Sequence, residues 1–316
     1  PTLNHINLDI YPGEKVLIAG ASGSGKSTIG SCINGLIPFA YPGESTGKLL
    51  VDGKEPSKSS IFELSHTVGT VLQDTEGQFI GLTVGEDIAF ALENDCVPQE
   101  EMKETVERVA KLVDIEHHLQ YAPHELSGGQ KQRVSLAGVM VDQVKVLLFD
   151  EPLANLDPAA GRTTIELIDM VQQKTGAAVI IIEHRLEDVL WRNVDRIVLM
   201  EEGSIVVDMP TEKMLASNLL LEHGIREPLY LTALRYAGIP ITEQMQPQHV
   251  DSLQLTKEQK EQLVNWYHST SGRVQKTEER EELLQVEHLT FGYTPELMNL
   301  KDVSFTIHKG EMVSIV

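Results

Sequence analysis

Residues 20–28 read Gly20-Ala21-Ser22-Gly23-Ser24-Gly25-Lys26-Ser27-Thr28 and fit the pattern G-x-x-x-x-G-K-S. A largely apolar run at residues 15–19 precedes this stretch, and helix-compatible residues follow from Lys26. The pattern therefore predicts a loop that joins a buried strand to the N-terminus of a helix. Glycines let such a loop turn its N–H groups toward an anion, and the helix N-terminus adds partial positive charge. The stretch indicates a phosphate-binding loop in an α/β fold.

Two side chains at the end of this loop suit a nucleoside triphosphate and its metal. The ammonium group of Lys26 is expected to reach the β- and γ-phosphates, and the hydroxyl of Ser27 is expected to bind Mg²⁺. The alternative is a glycine-rich turn with an incidental lysine. The motifs that follow favour the first interpretation.

Two acidic residues end a second predicted strand. Residues 146–149 (Val-Leu-Leu-Phe) are apolar, and Asp150 and Glu151 follow them directly. Open α/β sheets bind ligands at the carboxyl ends of their strands. Asp150 is therefore predicted to belong to the Mg²⁺ shell, and Glu151 is predicted to orient or deprotonate the attacking water. Acidic residues also end strands without any function, but beside a phosphate-binding loop the functional interpretation is favoured.

A second anion site is predicted at residues 126–130, which read Leu-Ser-Gly-Gly-Gln. Ser127, Gly128, Gly129 and Gln130 stand at the start of a predicted helix that continues to about residue 141. A hydroxyl and two unhindered N–H groups at a helix N-terminus favour a bound anion.

Taken together, these motifs resemble the nucleotide-binding domain of ABC ATPases, and the resemblance covers roughly residues 1–215. It implies a mixed-sheet core around the phosphate-binding loop, an antiparallel β subdomain and a helical arm that carries residues 126–130. It also implies ATP and Mg²⁺ as ligands. Residues 126–130 match the signature of this family. In the family, the signature of one domain caps the γ-phosphate that the opposite domain holds, so two domains enclose two nucleotides.

The resemblance assigns roles to three further residues. Gln73 matches the glutamine that contacts Mg²⁺ and reports to the membrane partner. Asp157 ends a stretch (residues 153–157) that matches the loop crossing the dimer interface. His184 follows an apolar run at residues 177–182 and matches the histidine that contacts the γ-phosphate.

Composition limits the possible partners. The chain has 316 residues and a formal net charge of −21, which disfavours duplex DNA or RNA as the main partner. No apolar stretch reaches the roughly 18 residues that a membrane-spanning helix needs. Cys32 and Cys96 lack metal-ligand spacing and are predicted to be reduced thiols. A membrane role therefore requires a protein partner.

An internal repeat predicts a second domain. Residues 298–316 align with residues 1–19 at a constant offset, and the matched residues are Leu3 with Leu300, Ile10 with Ile307, Gly13 with Gly310, Glu14 with Glu311, Val16 with Val313 and Ile18 with Ile315. We expect a first nucleotide-binding domain at residues 1–215 whose N-terminal strand is missing. A helical and polar linker is expected at residues 216–283, and a truncated second copy at residues 284–316, where residues 289–293 resemble the opening strand whose aromatic residue stacks on adenine.

Two functions remain open at this point. Residues 77–94 and 183–189 resemble the ATPases of energy-coupling-factor importers, in which fused ATPases are associated with thiamine or hydroxymethylpyrimidine uptake. The resemblance implies an ATP-hydrolysing subunit on the cytoplasmic face of the membrane, which powers import of a vitamin or a metal ion through separate transmembrane subunits. The alternative is a tandem ABC ATPase that acts on ribosomes. Residues 208–283 hold 12 acidic and 8 basic residues, which is unfavourable for RNA contact.

Overall fold

The computed structural model describes residues 2–72, 76–142, 144–154, 156–270, 280–293 and 298–314. Gln73 lies outside these ranges. Contacts divide the chain into two units, Pro1–Tyr267 and His268–Val316.

The first unit is built on one six-stranded sheet. In chain order its strands are β1 (Lys15–Gly20), β2 (Val68–Val71), β3 (Val146–Asp150), β4 (Ala178–Ile182), β5 (Arg196–Glu201) and β6 (Ser204–Pro210). The spatial order is β2-β3-β4-β1-β5-β6, and all neighbours are parallel except β5 and β6. The predicted strands at residues 15–19 and 146–149 are confirmed.

Helices cover both faces of this sheet. They are α1 (Lys26–Ile33), α2 (Leu36–Phe39), α3 (Ile61–Ser65), α4 (Val84–Asn94), α5 (Gln99–Leu112), α6 (Gly128–Met140), α7 (Pro158–Thr175), α8 (Leu186–Val189), α9 (Thr211–Ala216), α10 (Leu219–Glu222), α11 (Leu229–Tyr236) and α12 (Lys257–Ser269). Alternate β1 residues enter opposite cores, with Leu17 in one and Ile18 in the other. A parallel strand buried on both faces needs the continuous apolar run that the sequence shows. In the part of the chain that the structure describes, no helix is long and apolar enough to cross a membrane.

The carboxyl ends of the central strands meet at one edge. Asp150 pairs with Ile182 in register, and Ile18 pairs with both Ile182 and Val198. The phosphate-binding loop therefore leaves the sheet beside the segments that follow β3 and β4. This is the edge at which open α/β sheets bind ligands.

Residues 51–54 form a tight turn. Asp52 and Gly53 have positive φ values of 49° and 77°, and the isolated bridge Val51–Lys54 flanks them. Residues 47–50 are not in a strand. A strand needs a partner strand to satisfy its backbone N–H and C=O groups, and residues 47–50 do not pair with one.

Residues 216–267, here called the packed extension and predicted to be part of a linker, belong to the same compact unit as the six-stranded sheet and its helices. Helices α9 and α11 bury Met214, Leu231 and Leu234, and Ile239 joins them in the same core cluster. The contacts therefore extend the first compact unit well past the predicted boundary at residue 215.

The second unit contains an antiparallel pair, β7 (Glu282–Phe291) and β8 (Leu300–His308). By the repeat, β8 corresponds to residues 3–11, which form no strand. Leu3 and Ile10 instead pack on the face of the large sheet. The backbone of β8 pairs with that of β7, whereas residues 3–11 are not paired in a sheet. Tyr293 is 83% exposed.

The hydroxyl of Tyr230 stabilises the packed extension, and removal of this hydroxyl should lower the stability of the protein. Its hydroxyl donates toward the carbonyls of Pro247 and Gln248 at 2.6 and 2.8 Å. Burial raises the pKa of Tyr230, so the hydroxyl keeps its proton. Tyr230→Phe is expected to lower the free energy of unfolding by about 1 kcal/mol. Urea unfolding measures this change, and Tyr236→Phe, at a ring that is 72% exposed, is the matched control. Equal stability of the two variants would contradict the assignment.

Candidate nucleotide-binding site

Two glycines make the phosphate-binding loop possible. A Cβ on Gly20 would lie 2.2 Å from the carbonyl oxygen of Met200, so only glycine lets the loop leave the sheet beside β5. Gly25 immediately precedes α1 in the left-handed region, with φ 100°, where side chains are strained. The backbone therefore curls before α1 and brings the helix N-terminus to the sheet edge.

Lys26 is held inside this loop. Its Nζ donates to the carbonyls of Gly20 and Ala21, each at 2.9 Å, and the residue is only 6% exposed. Burial lowers the pKa of Lys26, and the charges of Glu151 and Asp150 oppose that shift. A triphosphate would offer the ammonium stronger acceptors than these neutral carbonyls.

Ser27 and Asp150 form the candidate metal pair. The Ser27 hydroxyl donates to Asp150 Oδ1 at 3.1 Å. Burial raises the pKa of Asp150, and the hydrogen bond from Ser27 acts in the opposite direction. A hydroxyl and a carboxylate at hydrogen-bond distance are the oxygen donors that Mg²⁺ accepts beside phosphate. The residues present fit the metal.

Glu151 stands in a strained conformation at the same edge. Its φ is 49°, in the left-handed region, and its N–H donates to the carbonyl of Ile182 at 2.8 Å. A non-glycine residue in this region costs about 1 kcal/mol or more and persists where the surrounding structure fixes it. The bond to β4 fixes it here, directly after Asp150.

Glu183 organises the segment around His184, a role that sequence reasoning missed. Its fully buried carboxylate accepts the N–H groups of Leu153, His184 and Arg185 at 3.3, 2.8 and 3.1 Å. His184 Nδ1 lies 3.1 Å from Glu183 Oε1, while the His184 side chain is 59% exposed. Glu183 thus joins the stretch after Glu151 to the histidine. A carboxylate directly after the apolar run at residues 177–182 was the available signal.

Arg185 and Asp157 hold the neighbouring loop. Arg185 Nη1 donates to the carbonyls of Leu153 and Leu156 at 2.9 and 3.3 Å. Asp157 caps α7 by accepting the N–H groups of Ala159 and Ala160 at 2.9 and 3.0 Å. The Asp157 side chain therefore has a structural partner within its own helix.

The signature residues occupy a different surface. Ser127 caps α6 and forms a capping box with Gln130. Ser127, Gly129 and Gln130 line a cleft of ≈ 230 Å³ together with Arg133, Ala160, Thr163 and Thr164. Lys26 and Ser27 contact the loop carbonyls and Asp150 instead. Lys26 and Ser27 thus lie beside Asp150 and Glu151, whereas the signature residues line a separate cleft.

A larger cavity of ≈ 1030 Å³ lies behind His184. It separates α7 and residues 184–193 from the packed extension, which contributes Tyr230, Gln248 and residues 249–252. His249 crosses the gap by contacting the carbonyl of Leu190 and Asn193 Oδ1, both at 2.6 Å. The packed extension therefore contacts residues 190–193, which follow His184.

Known proteins and family models match this sequence. The model described as "ABC transporter" matches residues 3–154, and the model described as "ATP-binding cassette cobalt transporter" matches residues 217–291. A Clostridium perfringens protein, provisionally named an ABC transporter ATP-binding protein, is 56% identical over the whole chain, which covers 55% of that protein. A similarly named Photobacterium profundum protein is 55% identical, and 56% of it is covered. The chain thus spans about half the length of these curated relatives.

Solved structures show the same fold. The structure of cbiO1 from Clostridium perfringens, described as part of the ABC transporter complex cbiONQ, matches with a TM-score of 0.63 and 32% identity. The match covers 74% of this chain and 92% of cbiO1. MJ0796, a bacterial ABC transporter cassette solved as a dimer, matches with a TM-score of 0.58 and 26% identity over 66% of this chain and 90% of its own. The chain belongs to the family of ABC transporter ATP-binding proteins.

Proposed function

We propose that this chain binds Mg-ATP in the loop at residues 20–28 and hydrolyses it to power import of a small solute. One observation carries the proposal. The Ser27 hydroxyl lies 3.1 Å from Asp150 on the edge where Lys26 and Glu151 also stand. This set supplies a phosphate-binding cation, two metal-binding oxygens and a general base, which are the parts that phosphoryl transfer to water requires.

Each residue has a separate task in the proposed reaction. Lys26 binds the β- and γ-phosphates. Ser27 and Asp150 would hold Mg²⁺, which would supply positive charge beside the phosphates. Glu151 accepts a proton from the attacking water. His184, oriented by the buried Glu183, contacts the terminal phosphate. The role of Gln73 as a further contact to Mg²⁺ remains a prediction.

We also propose that Ser127, Gly128, Gly129 and Gln130 complete the site of a second ABC domain. The separate face that these residues occupy supports the idea, since they and Lys26 have different contacts within one chain. The dimeric structure of the related MJ0796 cassette supports it as well. The second domain would be a homodimer partner or a further part of the same chain, and the repeat at residues 298–316 favours the latter.

The relatives favour a divalent metal cation as the solute. The family model that matches residues 217–291 is described as a cobalt transporter. The thiamine or hydroxymethylpyrimidine expectation has no such support. Separate transmembrane subunits would hold the chain at the cytoplasmic face of the membrane. The relatives reported above give the ribosome alternative no support.

Uptake by cells that co-express the full-length protein and its membrane subunits tests this proposal. We expect uptake of radioactive Co²⁺ with the parent and loss of uptake with Glu151→Gln, at equal amounts of protein in the membrane fraction. Uptake of labelled thiamine instead of Co²⁺ would move the solute to the vitamin class. Equal uptake by the parent and Glu151→Gln, or association of the protein with ribosomes rather than membranes, would contradict the importer.

A further inference from the structure

Three side chains with metal-ligand chemistry meet outside the nucleotide site. His66 is the residue directly after α3, Asp95 directly follows α4, and Asp142 lies two residues beyond α6. One ligand atom from each residue lies within 4.8 Å of the other two. His66 Nε2 is 3.5 Å from Asp95 Oδ1. Three segments that are distant in sequence thus converge on one point.

The spacing suits a small divalent cation. Nitrogen and oxygen ligands of such ions lie about 2.0–2.2 Å from the metal, so neighbouring donors in a tetrahedral shell are roughly 3.4 Å apart. The distance of 3.5 Å between His66 Nε2 and Asp95 Oδ1 is close to this value. One imidazole with two carboxylates favours first-row transition cations over Ca²⁺ and Mg²⁺, which prefer oxygen ligands alone.

The charges around Asp142 also favour a cation. Within the described ranges, Asp142 forms no hydrogen bond or ion pair, although the residue is partly buried. The carboxylate of Asp95 belongs to the same group of atoms within 4.8 Å, so two carboxylates lie close together here. A divalent ion between the two carboxylates would remove their repulsion and replace lost hydration.

We propose that His66, Asp95 and Asp142 bind one divalent first-row transition cation, with Co²⁺ and Zn²⁺ as probes. The site does not depend on which solute the transporter carries. His66 stands two residues before β2, the strand that leads toward Gln73, whereas α4 follows residue 73 and α6 begins at the signature. A metal bound at these three residues would therefore connect the end of α3, which precedes Gln73, to the ends of α4 and α6, which follow Gln73.

The test uses the 316-residue chain without nucleotide and with excess Mg²⁺, so that oxygen-only sites are occupied. Co²⁺ is titrated and followed by its visible absorption, and Zn²⁺ is titrated by calorimetry. We expect one equivalent to bind, and we expect His66→Ala and Asp142→Asn each to weaken binding at least about tenfold. The matched control is His223→Ala, because His223 contacts the single carboxylate of Glu201 at 3.0 Å. It should bind as the parent does.

Thermal unfolding separates a ligand from a structural role. Without metal, Asp142→Asn should be at least as stable as the parent, because the change removes repulsion from Asp95. With saturating Zn²⁺ the parent should gain stability and Asp142→Asn should not. Absence of stoichiometric binding by the parent, parent affinity in Asp142→Asn, or equal loss of binding in His223→Ala would overturn the proposal.

Discussion

Glu151→Gln is expected to keep Mg-ATP binding and to lower the turnover number roughly 10²- to 10⁴-fold. The amide keeps the size of the side chain and its place at the end of β3, but it cannot accept a proton from water. Asp150, Ser27 and Lys26 remain to bind the nucleotide. Steady-state phosphate release and equilibrium nucleotide binding measure the two effects separately.

Glu202→Gln is the matched control for this change. Glu202 also has a left-handed backbone, with φ 45°, but it lies exposed in the turn between β5 and β6. Its variant should hydrolyse ATP at the parent rate. If Glu151→Gln stayed within a few-fold of the parent, Glu151 would not be the general base.

Lys26→Ala and His184→Ala are expected to fail in different ways. Lys26→Ala removes the buried ammonium and should weaken ATP binding roughly 10- to 100-fold, the range for lost hydrogen bonds to a charged group. His184→Ala removes a largely exposed ring and should leave binding within a few-fold while hydrolysis slows. Fluorescent nucleotide titration measures affinity, and single-turnover hydrolysis measures the chemical step.

Lys15→Ala provides the control for the first of these variants. Lys15 is a buried lysine at the other end of β1, where Nζ contacts Asp169 Oδ1 at 2.5 Å. Its loss should lower stability without a specific loss of ATP affinity. Equal losses of ATP affinity in Lys26→Ala and His184→Ala would show that the two roles are assigned wrongly.

The central sheet and the loop were predictable because their signals are local. A strand buried on both faces requires a continuous apolar run, and residues 15–19, 146–149 and 177–182 have one. The helix after Ser127 was predictable for a similar reason, because a capping residue and Gln130 mark its start.

Features that depend on long-range pairing could not be predicted. Residues 47–50 have strand-like composition but find no partner in a sheet. Residues beyond 215 look polar, yet Leu231 and Leu234 reach the core because α11 presents them on one face. The carboxylate of Glu183 was visible in the sequence, but its three N–H partners come together only in the fold. Burial and pairing of that kind are set by the tertiary structure.

We propose that the signature of one domain completes the phosphate-binding loop of another, and mixing two inactive variants tests this arrangement. Lys26→Ala disables the loop. Gly129→Asp places a carboxylate at the predicted phosphate-facing end of α6, and a Cβ there meets only Ala160 Cβ at 3.5 Å, so the fold accepts it. Each variant alone should be nearly inactive, because both sites of its homodimer lack one part.

A mixed dimer of the two variants would contain one site with an intact loop and an intact signature. We expect the mixture to recover roughly a quarter of the parent ATPase rate if dimers form at random. Half of the dimers are then mixed, and each mixed dimer has one working site out of two. The recovered rate should rise faster than linearly with protein concentration until dimers saturate. A mixture no more active than the average of its two components, while the parent remains active, would contradict a site shared between two copies of this chain.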